Sequence, residues 1–242
     1  MPDFRATPGR VVTLVIGLPL MLAGVAWSAF AFVGGLARTS EHHHATYPWS
    51  GGNVTLNVGS GDAVIRTSDV ASVGVDYTEH YEFKRPTLQA ASSASGLSLT
   101  SHCDSGILGQ NCSINYTITV PKQAGLRLHL GDGDVNLQGV AGSVVVQAGD
   151  GDIDGSGLLS KNFQVSSGDG GIHLQWAAAP SSVALSMGDG NIDLAVPNGS
   201  GPYAIRQSGS GGSDITVATD PNAAATMVLR RGDGDVHVGY GG

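Results

Sequence analysis

The stretch "HLGDGDVNLQG", His129 to Gly139, carries a glycine and aspartate pattern that returns as GDGDIDG (Gly149 to Gly155), GDGGIHL (Gly168 to Leu174), GDGNIDL (Gly188 to Leu194) and GDGDVHV (Gly232 to Val238). A phosphate loop, a calcium loop and the corner of a stacked repeat all use these residue types, and spacing separates them. Aligned on the glycine, the units open at Gly131, Gly149, Gly168, Gly188, Gly211 and Gly232, in steps of 18, 19, 20, 23 and 21 residues. A period near 20 denotes a solenoid, whereas the calcium-binding β-roll nonapeptide recurs in tandem every nine residues.

Within each unit the residue types keep their places. The fifth column reads Val135, Ile153, Ile172, Ile192, Ile215 and Val236, and the seventh reads Leu137, Gly155, Leu174, Leu194, Val217 and Val238. Between them the sixth reads Asn136, Asp154, His173, Asp193, Thr216 and His237. Alternation with period two is the mark of a half-buried strand, so the fifth and seventh columns face a core and the sixth faces water. Upstream of the corners, Leu128, Val146, Val165 and Leu185 form a further inward column, and the return loops, such as "AAAPSS" and "VPNGSGP", are too short for a crossover helix. The expected fold is all-β: a parallel β-solenoid or roll of about 20-residue coils with Gly-Asp-Gly-Asp corners over residues 131–242. An antiparallel β-sandwich is the alternative. Residues 50–130 read as irregular first coils and a cap, with a first corner at Gly59 to Asp62.

The N-terminus has a different character. Val11 to Ala37 is 27 residues without a charge, longer than the roughly 20 a membrane-spanning helix needs. Arg5 and Arg10 precede it, which places residues 1–10 in the cytoplasm, 11–37 in the membrane as a signal anchor and the remainder outside the cell. Cleavage of this segment as a signal peptide near "AFA", Ala29 to Ala31, is the alternative. Residues 38–49, with "HHH" at His42 to His44, read as a stalk. On the exported side stand two cysteines, Cys103 and Cys112, whose natural state is a local disulfide.

The order "TITVPKQAGLRLHLGDGDV", followed by repeated strand, corner and strand, resembles the bacterial β-strand repeat family of candidate adhesins, a domain of unknown function. The resemblance covers about residues 50–240. It implies an exported or membrane-anchored β-solenoid and brings no catalytic residues.

The chemistry of the corners agrees with a structural reading. They lead into strands rather than a helix, lack the P-loop lysine and carry aspartate, which repels phosphate, so nucleotide is excluded as a ligand. A net charge of −8 argues against nucleic acid. Glycine permits a positive φ at the turn and aspartate bonds nearby backbone, which requires no ligand. The corner carboxylates Asp132, Asp134, Asp150, Asp152, Asp169, Asp189, Asp233 and Asp235 nevertheless form columns, and weak Ca²⁺ association is the alternative to no cofactor. His129, His173 and His237 read as ordinary solvated side chains, and "HHH" as at most a weak transition-metal ligand set. The expected protein is a non-enzymatic, single-pass, membrane-anchored extracellular module, adhesin-like or engaging a cell-surface or envelope component. An envelope-stress sensing domain that binds a peptide, lipid or protein partner is the alternative.

Overall fold

The computed structural model describes Met21 and residues 39–82, 84–93, 95–103 and 112–241. The expected cytoplasmic stretch 1–10 and, apart from Met21, the apolar segment 11–37 lie outside them. No described helix is long and apolar enough to cross a membrane.

Alternating aliphatic and small polar residues form strands along the whole described chain. The N-terminal part holds β1 (Thr39–Pro48), β2 (Asn53–Ser60), β3 (Ala63–Ser68), β4 (Ser72–Tyr81), β5 (Thr87–Ser93), β6 (Gly96–His102) and β7 (Ser113–Pro121). The regular middle follows as β8 (Gly125–Asp132), β9 (Val135–Gln138), β10 (Val144–Ala148), β11 (Ile153–Leu158), β12 (Asn162–Ser166), β13 (Ile172–Trp176), β14 (Ser182–Ser186) and β15 (Ile192–Pro197). The chain closes with β16 (Tyr203–Ser208), β17 (Ser213–Ile215), β18 (Ala225–Arg230) and β19 (Val236–Gly241).

These strands make two sheets. The first runs β1-β4-β7-β3-β9-β11-β13-β15-β19-β17, the second β5-β6-β2-β8-β10-β12-β14-β18-β16. Each coil contributes one strand to the second sheet, turns at its corner and contributes the next strand to the first sheet. Pairing along the stack is parallel, as expected for a solenoid. Among the described strands, antiparallel pairs occur only at the N-terminal end, as β1 with β4, β4 with β7 and β5 with β6.

The core lies between the sheets. Val135, Ile153, Ile172, Ile192 and Val236 fill the fifth column, all at most 1% exposed, and face Leu128, Val146, Val165, Leu185 and Leu229 of the second sheet. Where the seventh column offers only Gly155, a bulge in β11 carries Leu158 into the gap; a Cβ at Gly155 would strike the Leu158 and Leu174 side chains. Phe163 and Trp176 meet edge to face at 5.7 Å, and the Trp176 indole donates to the Ser160 carbonyl.

Three features were not in the sequence reading. First, the coils do not stack in chain order: β2/β3 is inserted between β6/β7 and β8/β9, and β18/β19 between β14/β15 and β16/β17. The reason is burial. Met227, Leu229, Val236 and Val238 are at most 1% exposed, whereas the β16/β17 coil leaves Gln207 and Ser213 exposed and Ile205 and Ile215 half-buried. The more polar coil therefore ends the stack, as a capping repeat does, and its edge strand β17 has only three residues, which limits pairing with other chains. Second, the corner read at Gly211 opens at Gly209. Gly211 stacks on Gly234 and the Gly212 amide on Asp235, so both occupy the third and fourth positions. Ser213, Asp214 and Ile215 then take the fifth, sixth and seventh.

Third, the segment read as a stalk is strand β1, paired over its whole length with β4 from Thr39↔Tyr81 to Pro48↔Ser72. Glu41, His43, Ala45 and Tyr47 alternate with Ser40, His42, His44 and Thr46, and the first set is the less exposed. Period two thus splits "HHH": His43 faces inward while His42 and His44 face out, which dissolves it as a single ligand set. Cys103 and Cys112 form a disulfide, with Cα atoms 5.8 Å apart, between β6 and β7. It holds that coil together at the place where the regular coils turn through glycine and aspartate.

Ile172→Asp places a charge among fully buried aliphatic neighbours, and should destabilise by about 4 kcal/mol or more, since truncation of such a residue alone costs about 2–5. Gln175→Asp, on the outer face of the same strand, should stay within about 0.5 kcal/mol. Chemical denaturation of both variants checks this; equal damage would contradict the register.

Candidate binding face

The corners hold successive coils in contact. At Gly151 φ is 139°, a conformation L side chains avoid, and a Cβ there would fall on the Gly133 carbonyl oxygen of the neighbouring coil. Absence of a side chain lets the backbones bond directly: Gly149 N donates to Gly131 O, Gly168 N to Gly149 O and Gly188 N to Gly168 O, each at 2.7 Å.

The aspartates continue this ladder. In the fourth column Asp62 Oδ1 accepts the Asp134 amide (3.0 Å), Asp134 Oδ1 the Asp152 amide (2.9 Å) and Asp152 Oδ1 the Gly171 amide (2.7 Å). After Gly171 the ladder resumes, with Asn191 Oδ1 accepting from Asp235 N (2.9 Å) and Asp235 Oδ1 from Gly212 N (2.7 Å). In the second column Asp150, Asp169 and Asp189 accept the amides of Asp169, Asp189 and Asp233 at 3.0 to 3.2 Å. Each carboxylate satisfies a turn amide of the adjacent coil through a charge-assisted bond. Of the eight carboxylates singled out as weak metal ligands, six thus serve as backbone acceptors, while Asp132 and Asp233 stand exposed in the second column.

The outer face of the first sheet carries a row of ionisable groups. Because β19 lies between β15 and β17, the sixth column reads, in spatial order, Asn136, Asp154, His173, Asp193, His237, Asp214. Carboxylate and imidazole alternate over five adjacent strands. His173 Nδ1 is 3.6 Å from Asp154 Oδ1 and His237 Nδ1 is 3.1 Å from Asp214 Oδ2. Beside the row, Asn191 and Asp235 of the corner column join His173, Asp193, Asp214 and His237 around a shallow depression. The second sheet presents a different surface: its corresponding row is Thr55, Arg127, Val145, Gln164, Ala184, Val228 and Arg206, and His129 stands half-buried beside Asn57 and Gln147.

Sequence reading placed His173 and His237 outward, but it put Thr216 in the place Asp214 takes and did not set His237 between Asp193 and Asp214, because periodicity fixes a residue's column and not its neighbour along it. Two further groups were missed. Arg231 is a buried cation whose Nε donates to Gly234 O (2.7 Å) and Nη2 to Gly212 O (3.0 Å), tying the last two corners together. Glu41, His43, Glu79 and Arg85 meet on the inner side of β1 and β4. Among the described residues, Glu41, His43 and Glu79 are the group in which three carboxylate or imidazole ligand atoms gather within 4.8 Å. The alternation of "TSEHHHATY" was the available signal for the strand that places the first two.

Asp152→Ala removes the acceptor for the Gly171 amide and should cost about 1–2 kcal/mol, while Asp152→Asn keeps an oxygen there, as Asn191 does in its own coil, and should change stability by less than about 0.5. Urea unfolding midpoints of the two variants discriminate a structural ladder from a purely solvated column, for which both changes would be neutral.

No curated protein matches the chain. Two solved structures align with it. A candidate cell adhesion protein from Clostridium sporogenes aligns over 84% of this chain and all of its own, with 13% identity and a TM-score of 0.55. A candidate adhesin from Bacteroides fragilis aligns over 81% of this chain and 96% of its own, also with 13% identity, and a TM-score of 0.33. The first of these likenesses is one of fold. The model of the DUF4097 toastrack family matches residues 52–241, which span β3 to β19 entirely and all of β2, and the chain belongs to that family.

Proposed function

We propose that the chain is a non-enzymatic, adhesin-like module, anchored in the cell membrane by residues 11–37, that engages a cell-surface or envelope component through the outer face of its first sheet. The observation that carries this reading is the alternating row from Asp154 to Asp214, which gives one broad face a patterned charge that the other lacks. Flat faces with rigid spacing suit recognition of an extended partner. Catalysis favours preorganised polar groups in a water-excluded site, whereas His173, His237, Asp154 and Asp214 are each about half or more exposed. The fold shared with the Clostridium sporogenes protein supports the same class of role. The face is acidic, so a cationic partner, or one bridged by cations, is the complementary chemistry. An envelope-stress sensor would instead be expected to bind at an end of the stack, where β17 offers three residues for pairing.

A photo-crosslinking side chain placed at Asp193 in the full chain, expressed in intact cells, should yield a discrete covalent adduct, and one at Gln164 on the opposite sheet should not. Adducts confined to Gln164, or to probes on β16 and β17 at the end of the stack, would refute this face as the contact surface.

A further inference from the structure

Glu41 and Glu79 are directly opposite each other in the antiparallel pair of β1 and β4, and His43 is opposite Tyr77. Like charges at facing positions repel, and the Glu79 side chain is only 4% exposed, so a cation is required between the two carboxylates. Arg85 supplies it. Its Nε donates to Glu79 Oε2 at 2.6 Å, its Nη2 donates to His43 Nε2 at 2.7 Å, and the same Nη2 lies 2.9 Å from Glu41 Oε2 in an ion pair. The bond to Glu79 is the main reason the guanidinium is held above its ordinary pKa. Because a guanidinium only donates, His43 Nε2 is the acceptor in its contact with Arg85, the same atom a metal would use.

The three acceptors come from two paired strands, whereas the cation comes from the connection between β4 and β5 and is 49% exposed. Their spacing has a further meaning. His43 Nε2 is 3.5 Å from Glu41 Oε2 and 3.6 Å from Glu79 Oε2. Bonds of about 2.0–2.2 Å in a tetrahedral zinc centre place neighbouring ligand atoms roughly 3.3–3.6 Å apart. Supporting contacts resemble those that orient metal ligands: the Tyr81 hydroxyl donates to Glu41 Oε1 at 2.8 Å, and the His43 ring stacks on Tyr77 with centroids 5.0 Å apart. Tyr77 in turn leans on Tyr116, so the imidazole is fixed against the apolar core.

We propose that Glu41, His43 and Glu79 form a binding site for a divalent transition-metal ion of the zinc class, and that the Arg85 guanidinium is the resident cation such an ion displaces. Two carboxylates neutralise the ion, His43 supplies the nitrogen, and water completes the coordination. Metal binding frees Arg85, so occupancy of the site is coupled to the position of the connection after β4, beside the strand that leads from the N-terminal segment.

Zinc titration of the purified full-length chain in detergent, with Co²⁺ absorption to report coordination, tests this. Arg85→Met should bind one Zn²⁺ about tenfold or more tighter than the parent chain, with the visible band of four-coordinate Co²⁺. Adding Glu79→Gln or His43→Ala should reverse the gain, and His42→Ala with His44→Ala should leave it intact. If Arg85→Met folds only with metal, its folding should be restored by Zn²⁺ and not by Mg²⁺. Equal affinity of the parent and Arg85→Met chains, dependence on His42 and His44 instead of Glu79, or failure of Zn²⁺ to restore folding would each overturn the proposal.

Discussion

Contact between backbones at the corners is the constraint on which the rest of the structure depends. Parallel coils separated by about 4.8 Å leave no room for side chains where the chain turns from one sheet to the other. Glycine at positions such as Gly151 removes the obstruction, and the carboxylate beside it reaches along the stack to the next coil's amide. Each corner is satisfied by its neighbour rather than by its own turn, so a single coil could not hold the conformation alone. The inward columns follow, since the corner sets the register in which Ile153, Ile172 and Ile192 meet.

The same dependence on neighbours explains the ends. A solenoid has two terminal coils with one face of backbone unpaired, and apolar residues there would be exposed. This chain places a polar coil at one end, with the apolar β18/β19 inserted inside it, and covers the other end with the antiparallel β1, β4 and β5. The acid–imidazole row on the first sheet is a by-product of that insertion in energetic terms, yet it creates the patterned face on which the functional reading rests. At the N-terminal cap the aliphatic core gives way to a network of Glu41, His43, Glu79 and Arg85, where the nearly buried Glu79 carboxylate is paired with the half-exposed Arg85 guanidinium.

The repeat period, the inward columns and the parallel class of fold were legible because each rests on local alternation, which a sequence displays directly. The first corner at Gly59 to Asp62 was legible for the same reason. Stack order was not, because it is decided by comparing the burial of whole coils that share one register. The shift of the corner from Gly211 to Gly209 belongs with it: "SGSGG" offers glycines in two frames, and only contact with Gly234 and Asp235 selects between them. Strand β1 escaped recognition because its inward residues are glutamate and histidine, whose partners Glu79 and Arg85 lie some forty residues away.

Inserted stacking of the last coil is tested most directly by disulfide trapping. Asp193 and His237 are register partners in adjacent strands, at a separation of about 4.8 Å that falls within the Cα range a disulfide spans. Asp193 and Asp214 lie two strands apart, on either side of β19. In the full chain oxidised under mild conditions, the Asp193→Cys, His237→Cys pair should crosslink, as shown by peptide mapping, and the Asp193→Cys, Asp214→Cys pair should remain reduced. Crosslinking of the second pair and not the first would mean that the coils stack in chain order, and the acid–imidazole row would not exist.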